Sequence, residues 1–169
     1  MSHFFLLVIF PSLMICAMVS DLRTMLIPNW ISVSLVVAFF LFIPFSALSW
    51  SQIGFYMLTS LGMLVVCFGA FTRGWIGGGD AKLIPATVLW LGPLSLIAYL
   101  VLASLFGIIL LAGVLAWRHL FSVPIFSTND DWAMRLRNPN QSLPYGVALG
   151  ASALITCPES LLWTLSLGG

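Results

Sequence analysis

LSLIAYLVLASLFGIILLAGVLA, residues 94–116, holds no charged residue. It exceeds the roughly 20 apolar residues needed to cross the hydrocarbon core of a bilayer. Comparable runs lie at about 3–20, 30–48, 53–71 and 144–164, with a shorter one at 78–92. Pro85 and the Leu91-Gly92-Pro93 turn limit the short run, and Pro93 divides it from 94–116. None of these runs alternates apolar and polar residues as the strands of a membrane barrel do. The expectation is an all-α, polytopic membrane protein with about six transmembrane helices. They would form one integral membrane domain over residues 1–169.

Composition supports the same class. The chain of 169 residues is 61% hydrophobic and 7% charged, with a mean hydropathy of +1.12. Such values exclude an ordinary soluble protein. A net charge of +1 leaves no basic patch for nucleic acid. Residues 4–19 have no basic segment before them and lead straight into charged, Pro-containing sequence, so they read as a retained first helix and not a signal peptide. Cys16, Cys67 and Cys157 are isolated in apolar stretches and read as lipid-facing or core residues, with no zinc or redox spacing.

The basic residues test the helix count. Arg23 falls between the first two helices, Arg73 and Lys82 flank the third connection, and Arg118, Arg135 and Arg137 follow the fifth helix. The other two connections, Ser49–Gln52 and Leu91–Pro93, carry no charge. All six Lys and Arg therefore fall on one side of a six-helix arrangement. Cytoplasmic loops are enriched in these residues, so both termini should lie outside and the long loop 119–143 in the cytoplasm. Within that loop, Ser127-Thr128-Asn129-Asp130-Asp131 reads either as the start of a short surface helix capped by Thr128 or as an irregular loop.

On this arrangement Asp21 and Asp80 stand at the same membrane boundary, Asp21 after the first helix and Asp80 before the fourth. Ionisable groups beside long apolar runs are functional candidates, because placing them there costs free energy. Two such carboxylates close together form a dyad able to share a proton and activate water. Each has a plainer reading. Asp21 could pair with Arg23, and Asp80 could cap its helix after a glycine turn. Gly77, Gly78 and Gly79 permit a tight turn and leave room for an extended peptide. Lys82 reads as an interfacial anchor or as a neighbour of Asp80. Asn29 reads as the cap of the second helix. Gly146 and Gly150, one turn apart, permit close helix contact, and Ala103 with Gly107 offers a weaker pair. His3, His119 and Glu159 form no recognisable metal or catalytic set.

Three of these segments resemble one family. Gly77-Gly78-Gly79-Asp80-Ala81-Lys82-Leu83 is similar to the Gly-x-Gly-Asp motif of the type IV prepilin peptidases. Asp21-Leu-Arg-Thr with Ile27-Pro28-Asn29 resembles their first motif, and Pro144–Gly150 a third. The resemblance implies an intramembrane aspartic endopeptidase of the bacterial inner membrane. It would cleave the short basic leader of prepilins or pseudopilins after a glycine, at the cytoplasmic face. Carried over by motif, Asp21 and Asp80 would be the catalytic pair, and Gly77, Gly78, Gly79 and Lys82 would meet the substrate. No cofactor or metal is implied. Longer members carry a cytoplasmic insertion with paired Cys-x-x-Cys motifs, linked to zinc and to N-methylation. This chain lacks that insertion and looks like the short branch serving Flp-type, tight-adherence pili, without methyltransferase activity. Related proteases of preflagellin or presenilin type share the chemistry. The alternative from another class is a small ion or proton transporter, or a secretion-system scaffold, using the Asp pair as a relay. Cleavage of a prepilin peptide by purified protein separates the two.

Overall fold

The computed structural model describes residues 5–46, 48–120 and 143–167, and the described residues are helical almost throughout. A π-helical turn, Phe5–Ile9, leads into α1, Phe10–Thr24. α2 spans Asn29–Phe42 and closes with a 3-10 turn, Ile43–Phe45. α3 spans Trp50–Thr72 and α4 spans Gly78–Leu120. α5 spans Tyr145–Thr156, a 3-10 turn follows at Cys157–Glu159, and α6 spans Leu161–Leu167. By length and composition, Phe5–Thr24, Trp50–Thr72 and Gly78–Trp117 can each cross a membrane, and Asn29–Phe45 is a shorter apolar helix. The protein is a polytopic, all-helical membrane protein.

α4 is too long for one crossing. Its 40-residue apolar stretch would reach about 60 Å if straight, twice the hydrocarbon thickness. Gly92 breaks it, at φ 76 and ψ 178, just before Pro93. The break folds the helix back on itself, placing the fully buried Tyr99 beside Thr87. The sequence expectation of two helices divided at Pro93 thus corresponds to two arms of α4, although the residue that turns the chain is Gly92. The first arm is the centre of the bundle, with every residue from 83 to 92 buried. A helix apolar on all sides is one surrounded by others. The second arm is largely exposed, including Leu94 at 77% and Ile97 at 74%.

The expected sixth helix, 144–164, is a correction. Pro158 sits in the 3-10 turn that interrupts it, because proline cannot donate the backbone hydrogen bond that a continuing helix needs. Helix boundaries elsewhere also shift. α1 runs four residues beyond the expected end at 20, and α3 starts three residues earlier than expected. The early start has a local cause. Ser49 and Gln52 form a reciprocal capping box, with Gln52 N–H donating to Ser49 Oγ at 3.3 Å and Ser49 N–H to Gln52 Oε1 at 2.8 Å. At its other end, Gly74 adopts φ 72, and the N–H groups of Gly74 and Trp75 return to Phe71 and Ala70. This paired closure satisfies carbonyls that the helix end would leave bare. The surface segment expected within 119–143 lies outside the described residues.

An aromatic cluster fills the middle of the bundle. Phe10 of α1, Phe39 and Phe42 of α2 and Trp90 of α4 have ring centroids 5.4 to 6.5 Å apart. The Trp90 indole N–H donates to the Leu35 carbonyl at 3.0 Å, so its one polar group is satisfied inside the core. Tyr56 of α3 stacks on Phe39 and lies over Gly92, where an added Cβ would stand 2.3 Å from the ring. Gly92→Ala should therefore destabilise the protein on two counts. The positive-φ, extended backbone at Gly92, open almost only to glycine, alone costs about 1–3 kcal/mol for another residue, and the overlap with Tyr56 adds to it. Thermal melting in detergent should show a clear loss for Gly92→Ala, and parent-like melting for Gly62→Ala, where nothing lies within 4 Å.

Candidate functional site

Five chain segments meet at one end of the bundle: the end of α1, the 25–28 connection, and the starts of α2, α4 and α5. Asp21 lies on the inward stripe of α1 with Phe10, Met14 and Ala17. These positions recur at helical spacing and share one face. Asp21 was expected after the first helix; it lies inside the last turn. Met25 closes α1 in a left-handed conformation, φ 56, with its N–H on the Asp21 carbonyl at 2.8 Å. Arg23 is exposed, and among the described residues Asp21 makes no ion pair. The side chain points inward because two residues along a helix turn it about 200° from Arg23.

The partner of Asp21 comes from α5. Its carboxylate accepts the Gly146 N–H at 2.6 Å, and Asp21 is only 5% exposed. Gly146 is the second residue of α5, and the first N–H groups of a helix have no partner within it. Pro144 precedes them without a side-chain cap. The free N–H and the positive helix end suit a carboxylate. The approach is close. A Cβ on Gly146 would lie 2.8 Å from Asp21 Oδ2, and one on Gly150 would lie 2.3 Å from Met18 Cγ. The sequence expectation of close contact through Gly146 and Gly150 is met, and α1 is the helix they admit.

Asp80 occupies the first turn of α4 and is partly buried. Gly77 starts that turn, with its carbonyl accepting the Ala81 N–H at 3.0 Å. The Asp80 carboxylate folds back over it, so an added Cβ on Gly77 would stand 3.2 Å from Asp80 Oδ2. Asp80 lies within electrostatic range of Asp21, and also of Cys67 and Tyr145. The two carboxylates singled out by sequence are therefore brought together.

The three glycines do different things. The space at Gly79 is filled by Ile27, whose Cβ would be 3.0 Å from an added methyl and whose backbone N would be 3.4 Å away. The space at Gly78 faces the Phe71 ring at 3.1 Å. Only Gly77 is open apart from Asp80. Ile27 also touches the other side of the site, 2.7 Å from where a Gly146 Cβ would be. This buried residue thus wedges between α4 and α5; in the sequence it stands only as part of the Ile27-Pro28-Asn29 motif, with nothing to mark that contact. Lys82 is exposed and donates from Nζ to Asn29 Oδ1 at 2.9 Å. Asn29 is consequently the first residue of α2 and a clip to α4; Pro28 stands at the cap position. Cys16 is exposed, Cys67 and Cys157 are buried, and all three are free. Among the described residues no three His, Cys, Asp or Glu side chains gather.

Fold and site together define a helical membrane protein that holds two carboxylates at one end of its bundle. The sequence profile of the type IV leader peptidase family matches residues 8–112, a stretch that takes in Asp21, the glycine turn and Asp80. The chain belongs to that family. Comparison with curated proteins and with solved structures gave no significant match.

Because Gly79 abuts backbone and a branched carbon, Gly79→Ala should cost stability by about 1–3 kcal/mol, as overpacking does. Gly78→Ala meets a ring that can rotate and should cost less. Detergent melting of the two variants checks the order. Ile27→Gly, which removes the Cβ standing 3.0 Å from the new methyl, introduced into Gly79→Ala should recover part of the added loss, giving a non-additive cycle.

Proposed function

We propose that this protein is an aspartic endopeptidase that removes the leader of Flp-type prepilins or pseudopilins at the cytoplasmic face of the bacterial inner membrane. Asp21 and Asp80 are the catalytic pair. The observation that carries the reading is their convergence at one end of a helical bundle, in a chain that belongs to the type IV leader peptidase family. Membership supports peptidase activity; the site supplies the groups. The termini lie outside, which rests on all six Lys and Arg falling on one side of the helix order. Arg23, Arg73 and Lys82 border the Asp pair along the chain.

The chemistry follows from two carboxylates with one proton between them, since neighbouring like charges in a poorly solvated site do not both ionise. The ionised carboxylate takes a proton from water as the water oxygen bonds to the scissile carbonyl carbon. The protonated one gives its proton to the carbonyl oxygen, forming a gem-diol. Collapse breaks the C–N bond. The proton taken from water passes to the leaving nitrogen, and a diol proton returns to the second carboxylate. The products are a carboxylic acid and an amine, and the pair is restored. Gly77, open beside Asp80, is where an extended substrate backbone approaches. Gly78 and Gly79 act through Phe71 and Ile27, and Lys82 through Asn29, by fixing the turn that presents Asp80. The 25–28 connection is too short to hold an added domain, and N-methyltransferase activity is not part of the proposal.

Asp21→Asn and Asp80→Asn should each abolish cleavage of a prepilin peptide by purified protein, with membrane insertion retained. Near-parent cleavage by either variant overturns the dyad. A parent protein that folds but never cleaves prepilin favours a relay function of the pair. Orientation has its own check. A reporter fused after Gly169 should behave as periplasmic, and cytoplasmic behaviour would reverse the placement of the site.

A further inference from the structure

The Tyr145–Gly150 segment lies beyond residues 8–112, the part matched by the family profile, and its sequence gives a glycine packing pair and a resemblance to a third family segment, with no role for Tyr145. Its geometry gives it a second part. We infer that Tyr145, seated against Gly107, is a positioning residue that sets the Gly146 N–H holding Asp21 in its reactive place. The inference rests on the aspartic reading above.

Three contacts carry it. The Gly146 N–H meets Asp21 Oδ2 at 2.6 Å in a buried setting. That contact has little slack, because Gly146 is flanked by Asp21 and Ile27 at distances that would not admit a methyl group. The third contact fixes where the N–H stands. The Tyr145 ring fills the notch at Gly107, where an added Cβ would lie 2.3 Å from Cε2. The Tyr145 hydroxyl donates to the Ala103 carbonyl at 3.2 Å. Ala103 and Gly107 are one turn apart on the second arm of α4, so ring and hydroxyl grip one face. On the other side, Gly150 rests against Met18 and the Met14 carbonyl. The start of α5 is thereby held between α4 and α1, with the N–H of its second residue aimed at Asp21. A peptide hydrolysis that needs a water and a carbonyl aligned on one carboxylate oxygen is sensitive to displacement of that oxygen. A misplacement near 1 Å can cost about 100-fold in rate.

The experiment combines kinetics and spectroscopy on the full chain in detergent. Gly107→Ala should displace Tyr145 and lower kcat for a prepilin peptide by about 100-fold, with KM changed by less than about threefold. Tyr145→Ala should do the same, and Tyr145→Phe, which keeps the ring in the notch, should recover most of the loss. Gly113→Ala, on the same arm with nothing within 4 Å, is the control for helix substitution. In the parent, the Gly146 amide proton should resonate well downfield, and it should move upfield in Asp21→Ala and in Gly107→Ala. Parent-like kcat in both Gly107→Ala and Tyr145→Ala, or a loss confined to KM, overturns the positioning role. Should neither variant fold, a Gly146 amide proton in the ordinary range and unmoved by Asp21→Ala overturns it as well. These outcomes are separate from failure of the aspartic reading, which Asp21→Asn and Asp80→Asn decide.

Discussion

A carboxylate taken out of water needs a hydrogen-bond donor, and that requirement organises one end of this protein. Asp21 is almost fully buried on the inward face of α1, and the Gly146 N–H at the start of α5 satisfies it. An unpaired buried charge would be far more costly than a buried neutral group. Bringing a backbone N–H to a side chain on another helix requires the two helix axes to come close. Gly146 and Gly150 allow this, one against Asp21 and the next turn against Met18. In a membrane, apolar burial does not drive helices together, because lipid is as apolar as the interface. Close packing and hydrogen bonds do so, and small residues make the packing possible.

Ile27 extends that constraint to Asp80. It sits between Gly79 and Gly146, so α4 and α5 are registered on the same side chain. The chain reaches Ile27 through the left-handed Met25. The Ser20 and Thr24 hydroxyls steady that turn by donating to the Leu26 carbonyl at 2.9 and 3.1 Å. The turn that ends the helix carrying Asp21 therefore also fixes the glycine segment that carries Asp80. Reversal of α4 at Gly92 completes the arrangement, because it returns Ala103 and Gly107 to the level of Tyr145.

Much of this was legible from residue order. The apolar runs gave the helix class and the break near Pro93, since hydrocarbon tolerates few charges and proline interrupts a helix. The two aspartates stood out because each interrupts an apolar context, and the structure places them near each other. The Gly-x-x-x-Gly pair announced a close helix contact. Less was legible where a partner was needed. The polar residues from Ser20 to Thr24 look like a connection, which puts Asp21 past the end of its helix on sequence alone. They are the final helical turn, and the Ser20 and Thr24 hydroxyls bond the Leu26 carbonyl that follows. Asn29 has the chemistry of a cap, yet Lys82 engages its side chain.

The sequence by itself determined that the chain is helical, that it belongs in a membrane, and which end of each helix carries charge. Those properties depend on local composition and on the free energy of moving residues between water and hydrocarbon. Only the tertiary structure decided that Gly78 and Gly79 seat Phe71 and Ile27, that Gly146 supplies the donor to Asp21, and that Gly107 receives Tyr145. A glycine in a sequence marks a place where something comes close. What comes close is set by the packing of segments far apart in the chain, which no local pattern encodes.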